Sequence, residues 1–475
     1  MMLKRGFRVS LPRSMRPRPS LRTSAGLQSY QQHEPSALLR DFDIGAPTTD
    51  WSIGSSSLAE RTNKQAEVLQ AVAPTRCSLS RTGLEIHRAA PAPLPELEGM
   101  PFGAHFTDHM LEVDWTAEHG WGTPRIVPFH NLSLHPAAHA LHYAVEIFEG
   151  MKAYHTEDGG AQLFRPVDNM VRMNLSAKRL CLPSFDPLEM AALMQKFVEV
   201  ESRWVPPAIG HSLYVRPTLI SLQDRIALGK TEKALFYAIA SPVGPYFPTG
   251  FKSVRLLATT KYTRAPHGGT GDAKCGGNYG GTIRPEGEAR EAGCAQNLWL
   301  LGDDHDAYVT EAGTMNFFVL WRESKTGPLE LVTPPLDGTI LPGITRDTVL
   351  RLAPMVWPGL RVVERKFTIS DICEASNEGR IVEAFGTGTA CVLCPIEAIR
   401  YHGRDYAIPT GVERAGKKAQ AGELTQKLTS VILDIQHGRR APPPGLEHWT
   451  VPVAPPHDEA QADGEWISDG IKQYA

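Results

Sequence analysis

Residues Gly268 to Gly281 read GGTGDAKCGGNYGG, one lysine among seven glycines. Glycine admits positive φ angles and lets another group approach the backbone closely, at an entropic cost to folding. Such a loop is expected to lie against a ligand. Lys274 is the side chain in it that becomes a strong nucleophile once its amine is partly desolvated. Two familiar glycine-rich patterns fail on the letters. A P-loop needs Gly-Lys followed by Ser or Thr, and Cys275 stands where the hydroxyl should be. The dinucleotide pattern GxGxxG is missed because Gly269-Thr270-Gly271 runs on into Asp272, Ala273 and Lys274. A second glycine cluster, FGTGTAC at 385–391, is likewise short of that pattern.

Outward from the loop, strand and helix patterns are mixed. HSLYVRPTLI, KALFYAIAS, SVRLLATT, NLWLL and MNFFVLW are short β-branched or aromatic runs that predict strands. Residues 186–204 predict a helix with Asp186 as N-cap, Pro187 in the first turn and Glu189 completing a box-like start. In it Met190, Leu193, Met194, Phe197, Val200 and Trp204 fall at core spacing. This mixture predicts an α/β (α+β) chain of two domains hinged at the Pro/Gly-rich SPVGPYFPTG. The expected division is 1–95 leader and linker without a fixed fold, 96–240 smaller N-terminal domain, 241–251 connector, 252–440 larger domain carrying Lys274, and 441–475 proline-rich tail. Gly438 reads as the stop of the last helix.

The bulk properties narrow the function. With 475 residues, 42% hydrophobic and 21% charged, the composition is that of a soluble enzyme long enough for two or three cores. No stretch approaches the roughly 18 to 20 consecutive apolar residues of a membrane helix. Seven basic residues precede the first acid, Glu34, so positions 34–475 carry 42 basic against 52 acidic residues. An acidic body of this kind is not expected to bind nucleic acid. The basic, acid-free and serine-bearing first 33 residues have the composition of an organellar transit peptide, mitochondrial before plastid, with a plain basic tail as the alternative. Seven cysteines do not suggest a disulfide framework and fit a reducing compartment.

A lysine in this setting suits Schiff-base chemistry. With pyridoxal phosphate as its partner, the site needs a carboxylate for the pyridine nitrogen, an anion cradle for the phosphate and a hydrogen-bond partner for the phenolic oxygen. TEAGTMNFF offers Glu311, LPGITRDTVLRLAPMV offers Ile344 and Thr345 where a turn opens a helix, and Tyr279 follows Lys274 by five residues. Taken singly these remain open to ordinary readings as a surface glutamate, a helix cap and a packed tyrosine.

Several runs together carry a resemblance. FTDHML, NLSLHPAAHALHYAVEIFEGMKAY, NMVRM, SLYVRPTLI, SPVGPYF, GGTGDAKCGGNYG, TEAGTMNFF, TPPLDGTILPGITR and FGTGTACVLCP, in order from Phe102 to Gly438, closely resemble the branched-chain amino acid aminotransferases, fold-type IV pyridoxal phosphate enzymes. The resemblance implies a two-domain architecture with the cofactor between the domains, and a homodimer. By it Lys274 matches the Schiff-base lysine, Glu311 the carboxylate facing the pyridine nitrogen and Tyr279 the partner of the phenolic oxygen. Arg172, the amides of Ile344 and Thr345, and Thr387 match the phosphate site. Tyr143, Phe148 and Tyr214 match the aromatic walls of the substrate pocket, and Arg216 an arginine associated with the acidic co-substrate. The amides of Thr389 and Ala390 match the site of the substrate carboxylate. The implied substrates are L-leucine, L-isoleucine or L-valine with 2-oxoglutarate. Pro266 and His267 depart from the aromatic residue the family pattern places after Arg264-Ala265.

Cys391 and Cys394 form a CxxC that in animal members resembles a thiol–disulfide switch; two buried thiols beside a strand is the other reading. No companion pair supports a metal site. The rival functions are another fold-type IV enzyme, a D-amino acid aminotransferase or aminodeoxychorismate lyase, and a non-catalytic redox or binding protein on the same scaffold.

Overall fold

The computed structural model describes residues 79–97, 99–100, 102–244, 252–411 and 419–454. The basic leader, the greater part of the 241–251 connector and the end of the tail lie outside the described residues.

The strands fall into two sheets; the first is built from strands before the connector together with one from the C-terminal tail, the second from strands after the connector. The first comprises β1 (Glu85–Ile86), β2 (His109–Thr116), β3 (Gly120–Trp121), β4 (Arg125–Pro128), β5 (Glu146–Phe148), β6 (Met151–His155), β7 (Ala161–Phe164), β8 (Ser212–Ser221), β9 (Lys233–Val243) and β19 (Thr450–Val453). Its order is β1-β4-β2-β9-β8-β6-β7-β19, with β3 beside β2 and β5 beside β8. The second comprises β10 (Val254–Thr259), β11 (Gln296–Leu301), β12 (Tyr308–Ala312), β13 (Met315–Arg322), β14 (Leu329–Thr333), β15 (Arg361–Glu364), β16 (Ile381–Gly388), β17 (Val392–Tyr401) and β18 (Arg404–Ala407). Its order is β12-β11-β10-β17-β16-β13-β14-β15, with β18 beside β17. The second sheet mixes parallel pairs, β10 with β11 and with β17, among antiparallel ones.

The helices are α1 (His139–Tyr143), α2 (Pro166–Arg179), α3 (Pro187–Val200), α4 (Gly277–Gly280), α5 (Ile283–Glu291), α6 (Ile344–Val356), α7 (Ile369–Asn377) and α8 (Glu423–Gln436). The expected helix at 186–204 is α3 followed by a 3-10 turn, Ser202–Trp204. Asp186 does cap it, accepting from the Leu188 N–H. Glu189 closes no box; its carboxylate instead accepts from the Arg81 N–H at 2.8 Å, satisfying an amide of a distant segment.

Two boundaries differ from the sequence expectation. Residues 79–95 include Leu79, buried in the first core, and β1, which pairs in parallel with β4. The proline-rich tail begins as ordered structure: Trp449 is fully buried and β19 pairs with β7 as the edge of the first sheet. Sequence patterning misses both because a two-residue strand has no period and prolines are tolerated on a sheet edge. A third boundary also moves: Ser241, Pro242 and Val243 finish β9, so the connector begins later than expected.

One apolar cluster packs α2 and α3 on the first sheet and another fills the second sheet. A third joins Tyr154 and Phe164 of the first sheet to Phe318 and Phe385 of the second. Beside that junction the buried Arg165 guanidinium bonds Asp168, Asp347 and Thr348 and lies 4.8 Å over the Trp449 ring. It fixes the first turn of α6 against the start of α2, and those two helices frame the site.

Candidate active site

Lys274 lies on a short segment hydrogen-bonded to β5. Its carbonyl accepts from the Phe148 N–H at 3.1 Å, and the Gly276 N–H donates to the Glu146 carbonyl at 3.2 Å. Asn278 closes the turn before it, donating from Nδ2 to the carbonyls of Thr270 and Ala273. The ammonium is thereby aimed at an aromatic corner. Lys274 Nζ is 3.1 Å from the Tyr279 hydroxyl and 4.7 Å from the centre of the Phe148 ring. Phe148 and Tyr279 pack with centroids 4.9 Å apart. On Phe148 the Arg216 guanidinium also sits, 4.7 Å from the ring centre, with Nη2 donating to the Tyr214 hydroxyl at 3.0 Å. Lys274, Tyr279, Phe148, Arg216 and Tyr214 are therefore one contiguous group.

Glu311, in β12, is almost fully buried. Its Oε1 accepts from Asn316 Nδ2 and from the Leu341 N–H, both at 3.0 Å. Its Oε2 faces Arg264 Nε as an ion pair and holds no directed hydrogen bond. Burial pushes this carboxyl up, and the neighbouring Arg264 and Lys274 charges pull against that rise. A cation entering beside Oε2 would favour the ionised form.

The opposite end gathers hydrogen-bond donors. Helix α6 starts at Ile344 with Gly343 as its N-cap and no capping side chain, so its first amides are available to a ligand. Arg172 of α2 reaches the preceding turn, donating from Nη1 to the Pro342 carbonyl at 3.1 Å. Its Nε and Nη2 are held by the fully buried Glu149 at 2.7 Å each, and that carboxylate outweighs burial to keep the guanidinium charged. The Thr387 hydroxyl is buried without a partner. A small cavity opens here, lined by Lys152, Tyr154, Asn169, Ile344, Thr345 and Thr389. It lies at this end and does not include Lys274. The turn 388–391 is tied to the first sheet by two bonds, Thr389 Oγ1 to the Gly150 carbonyl and Lys152 Nζ to the Ala390 carbonyl.

Tyr143 stands apart from the group around Lys274. It is exposed on α1, packs on His139 and His142, and donates its hydroxyl to the Ile226 carbonyl. Cys391 and Cys394 are free thiols at the start of β17, and Cys391 Sγ lies 3.3 Å from Met315 Sδ. Burial pushes both thiols up, Cys391 to about 12.

Sequence reasoning missed three residues. Glu149 aligns Arg172; Lys152 is a buried amine lowered to about 8 by burial; Phe102 packs edge-on against Tyr214 at 5.1 Å. IFEGMK carries the first two, and an acid and a base within one short, largely apolar run were the available signal. Three of the glycines have a cause within the protein itself. A Cβ on Gly271 would lie 2.6 Å from the Thr339 carbonyl oxygen, one on Gly269 2.9 Å from that of Pro266, and one on Gly276 would run into Glu146. It is this protein's own backbone and side chains that press on the loop.

Residues 146–399 match the family described as amino-transferase class IV. The chain belongs to that family. It is 46% identical over 368 residues to the mitochondrial branched-chain-amino-acid aminotransferase of Schizosaccharomyces pombe, covering 76% of this chain and 83% of that one. It is 47% identical over 372 residues to the cytosolic branched-chain-amino-acid aminotransferase of Saccharomyces cerevisiae, covering 77% and 96%. Among solved structures it is similar to the branched-chain aminotransferase of the thermophilic archaeon Thermoproteus uzoniensis with norvaline. That similarity has a TM-score of 0.55 at 26% identity, over 72% of this chain and 99% of the other.

Proposed function

We infer that this chain is a pyridoxal phosphate-dependent transaminase that moves the amino group of L-leucine, L-isoleucine or L-valine to 2-oxoglutarate. The observation that carries the reading is Lys274 Nζ against the Tyr279 hydroxyl, in a corner with a buried carboxylate near enough to feel its charge. The residues present fit the cofactor: Glu311 has an oxygen free of directed hydrogen bonds, Thr387 an orphaned hydroxyl, and α6 an uncapped N-terminus beside Arg172.

When bound, the cofactor supplies the electron sink that makes the substrate's Cα proton removable. Lys274 would be its covalent anchor and, with its amine free, the base that takes and returns that proton. Tyr279 holds the amine in place. Glu311 would keep a positive charge on the ring nitrogen, and Arg172, Ile344, Thr345 and Thr387 would hold the phosphate. The Thr389 and Ala390 amides meet the substrate carboxylate. Phe148, Tyr214 and Phe102 give an apolar wall suited to a branched side chain, where one methylene is worth only about 1–3 kcal/mol of discrimination. Arg216 answers the second carboxylate of glutamate and 2-oxoglutarate.

A homodimer is part of this reading, with Tyr143 completing a neighbour's pocket. It is supported by the exposed apolar group Leu141, Tyr143, Ile226 and Leu228, the last two 68% and 69% exposed. A division into two domain bodies is supported by the two sheets, with residues 79–95 and β19 joining the first, and a mitochondrial destination is supported by the basic leader.

The test is spectroscopic. The purified protein should show a visible cofactor band that L-leucine alone converts to the amine form, and borohydride should fix the cofactor on Lys274. A band untouched by L-leucine but changed by D-alanine would replace the substrate assignment. No band after soaking in pyridoxal phosphate would end the reading.

A further inference from the structure

Helix α2 carries Arg172, Ser176 and Arg179 at i, i+4 and i+7, one stripe of its surface. Each reaches a different part of the lysine's surroundings. Arg172 bonds the Pro342 carbonyl ahead of α6. Arg179 Nη2 donates to the Gly268 and Gly269 carbonyls at 2.7 and 3.0 Å. Between them the fully buried Ser176 hydroxyl accepts the Lys274 N–H at 2.8 Å and donates to the Arg172 carbonyl at 3.1 Å. At the other end of the same residue, the Phe148 N–H holds the Lys274 carbonyl. The lysine's backbone is pinned from both sides, by a helix and by β5.

We propose that Ser176 is the positioning residue for Lys274, registering the lysine's backbone on the helical turn that carries Arg172. The proposal rests on the function inferred above. If Arg172 marks the phosphate and Lys274 the reacting carbon, their separation must match one rigid molecule. A single hydroxyl joining the carbonyl of one to the amide of the other sets that separation with the fewest rotatable bonds. Helix propensity does not account for a serine here, since alanine is the better helix interior residue. The hydroxyl's back-bond to the i−4 carbonyl fixes the rotamer in which its lone pair faces out of the helix toward Lys274. Alanine at this position would remove the acceptor of the Lys274 N–H and leave the loop free to shift against Tyr279.

The experiment uses the holoenzyme. Ser176→Ala is expected to lower kcat by about 10- to 100-fold, the size a misplacement near 1 Å produces, with KM for L-leucine and 2-oxoglutarate within about twofold of wild type. The pH midpoint of the cofactor's visible absorbance should move with it, because that midpoint reads the nitrogen by which Lys274 would hold the cofactor. Ser176→Cys keeps the branching with a slightly larger atom, offers only a weak acceptor, and should show the same split. Val171→Ala, in the same helix but facing the core, should lower the melting temperature while leaving kcat and the midpoint in place. Unchanged kcat and midpoint in both serine variants would overturn the proposal, as would equal losses in Val171→Ala. Borohydride mapping of the wild type separates the two claims: cofactor fixed elsewhere than on Lys274 sinks the function itself.

Discussion

Lys152 Nζ donates to the Ala390 carbonyl at 3.0 Å, joining β6 of the first sheet to the turn between β16 and β17 of the second. This amine is buried, and burial lowers it from its ordinary 10.5 to about 8. Below pH 8 folded and unfolded chains both carry the proton, and folding bears the full cost of burying the charge. Between 8 and 10.5 the unfolded chain binds a proton that the folded chain has released, so this group's contribution to stability rises with pH. The urea midpoint of the wild type, measured relative to Lys152→Met, should therefore rise from about pH 7.5 to about pH 9.5. A constant difference would mean the amine is not buried in its charged form.

The lysine loop separates glycines that are required from those that are not. Gly271→Ala drives a Cβ onto the Thr339 carbonyl, which is rigid backbone. It should destabilise by about 1–3 kcal/mol and disturb Lys274 further along the same loop. Gly280→Ala meets nothing within 4 Å in a helical conformation and should be neutral or stabilise by about 0.4–1 kcal/mol. Denaturant midpoints of the two variants decide it.

That contrast also marks what the sequence can show. Long strands such as β8, β9 and β13 are legible because their apolar runs are buried on both faces, and α3 because its apolar residues keep a helical period. Lys274, Glu311, Tyr279 and the start of α6 are legible as separate candidates, and only the family pattern links them. The partners that hold them are not. Glu149 and Ser176 act through contacts 23 and 98 residues away in the chain, which no local pattern encodes. The tail escapes for the same reason: Trp449 and β19 are held by the distant β7 and its surroundings.

Trp449 makes the tail part of the fold. Its ring is fully buried against Phe164 and under Arg165. Trp449→Ala should cost about 3–5 kcal/mol. A chain ending before β19 should lose stability as well, by exposing the edge of β7. Thermal unfolding that leaves either variant level with wild type would show that the tail is an appendage.

The thiols of Cys391 and Cys394 are both raised by burial, Cys391 to about 12, so at neutral pH scarcely any thiolate is present to attack or be alkylated. Iodoacetamide near neutrality should modify the exposed Cys181 well before either of them. A redox role for the pair then requires the 388–391 turn to open first. If peroxide lowers activity equally in wild type and Cys391→Ser, the pair is not the switch.

Under the function proposed above, Arg216 would let one pocket take both an apolar and an acidic side chain. Its guanidinium lies over Phe148 and Tyr214, with Nη2 on the Tyr214 hydroxyl and Nε buried without a partner. Stacked this way the cation presents flat, weakly hydrated surface to a leucine side chain, so an aliphatic substrate is not repelled. A carboxylate arriving at the same place finds an unsatisfied donor already desolvated, where a charged hydrogen bond is worth about 1.5–3 kcal/mol. Arg216→Met keeps the apolar surface and removes the donor. KM for 2-oxoglutarate should rise by about tenfold or more, while KM for L-leucine stays within about threefold. Equal increases for both substrates would show that the arginine only shapes the wall.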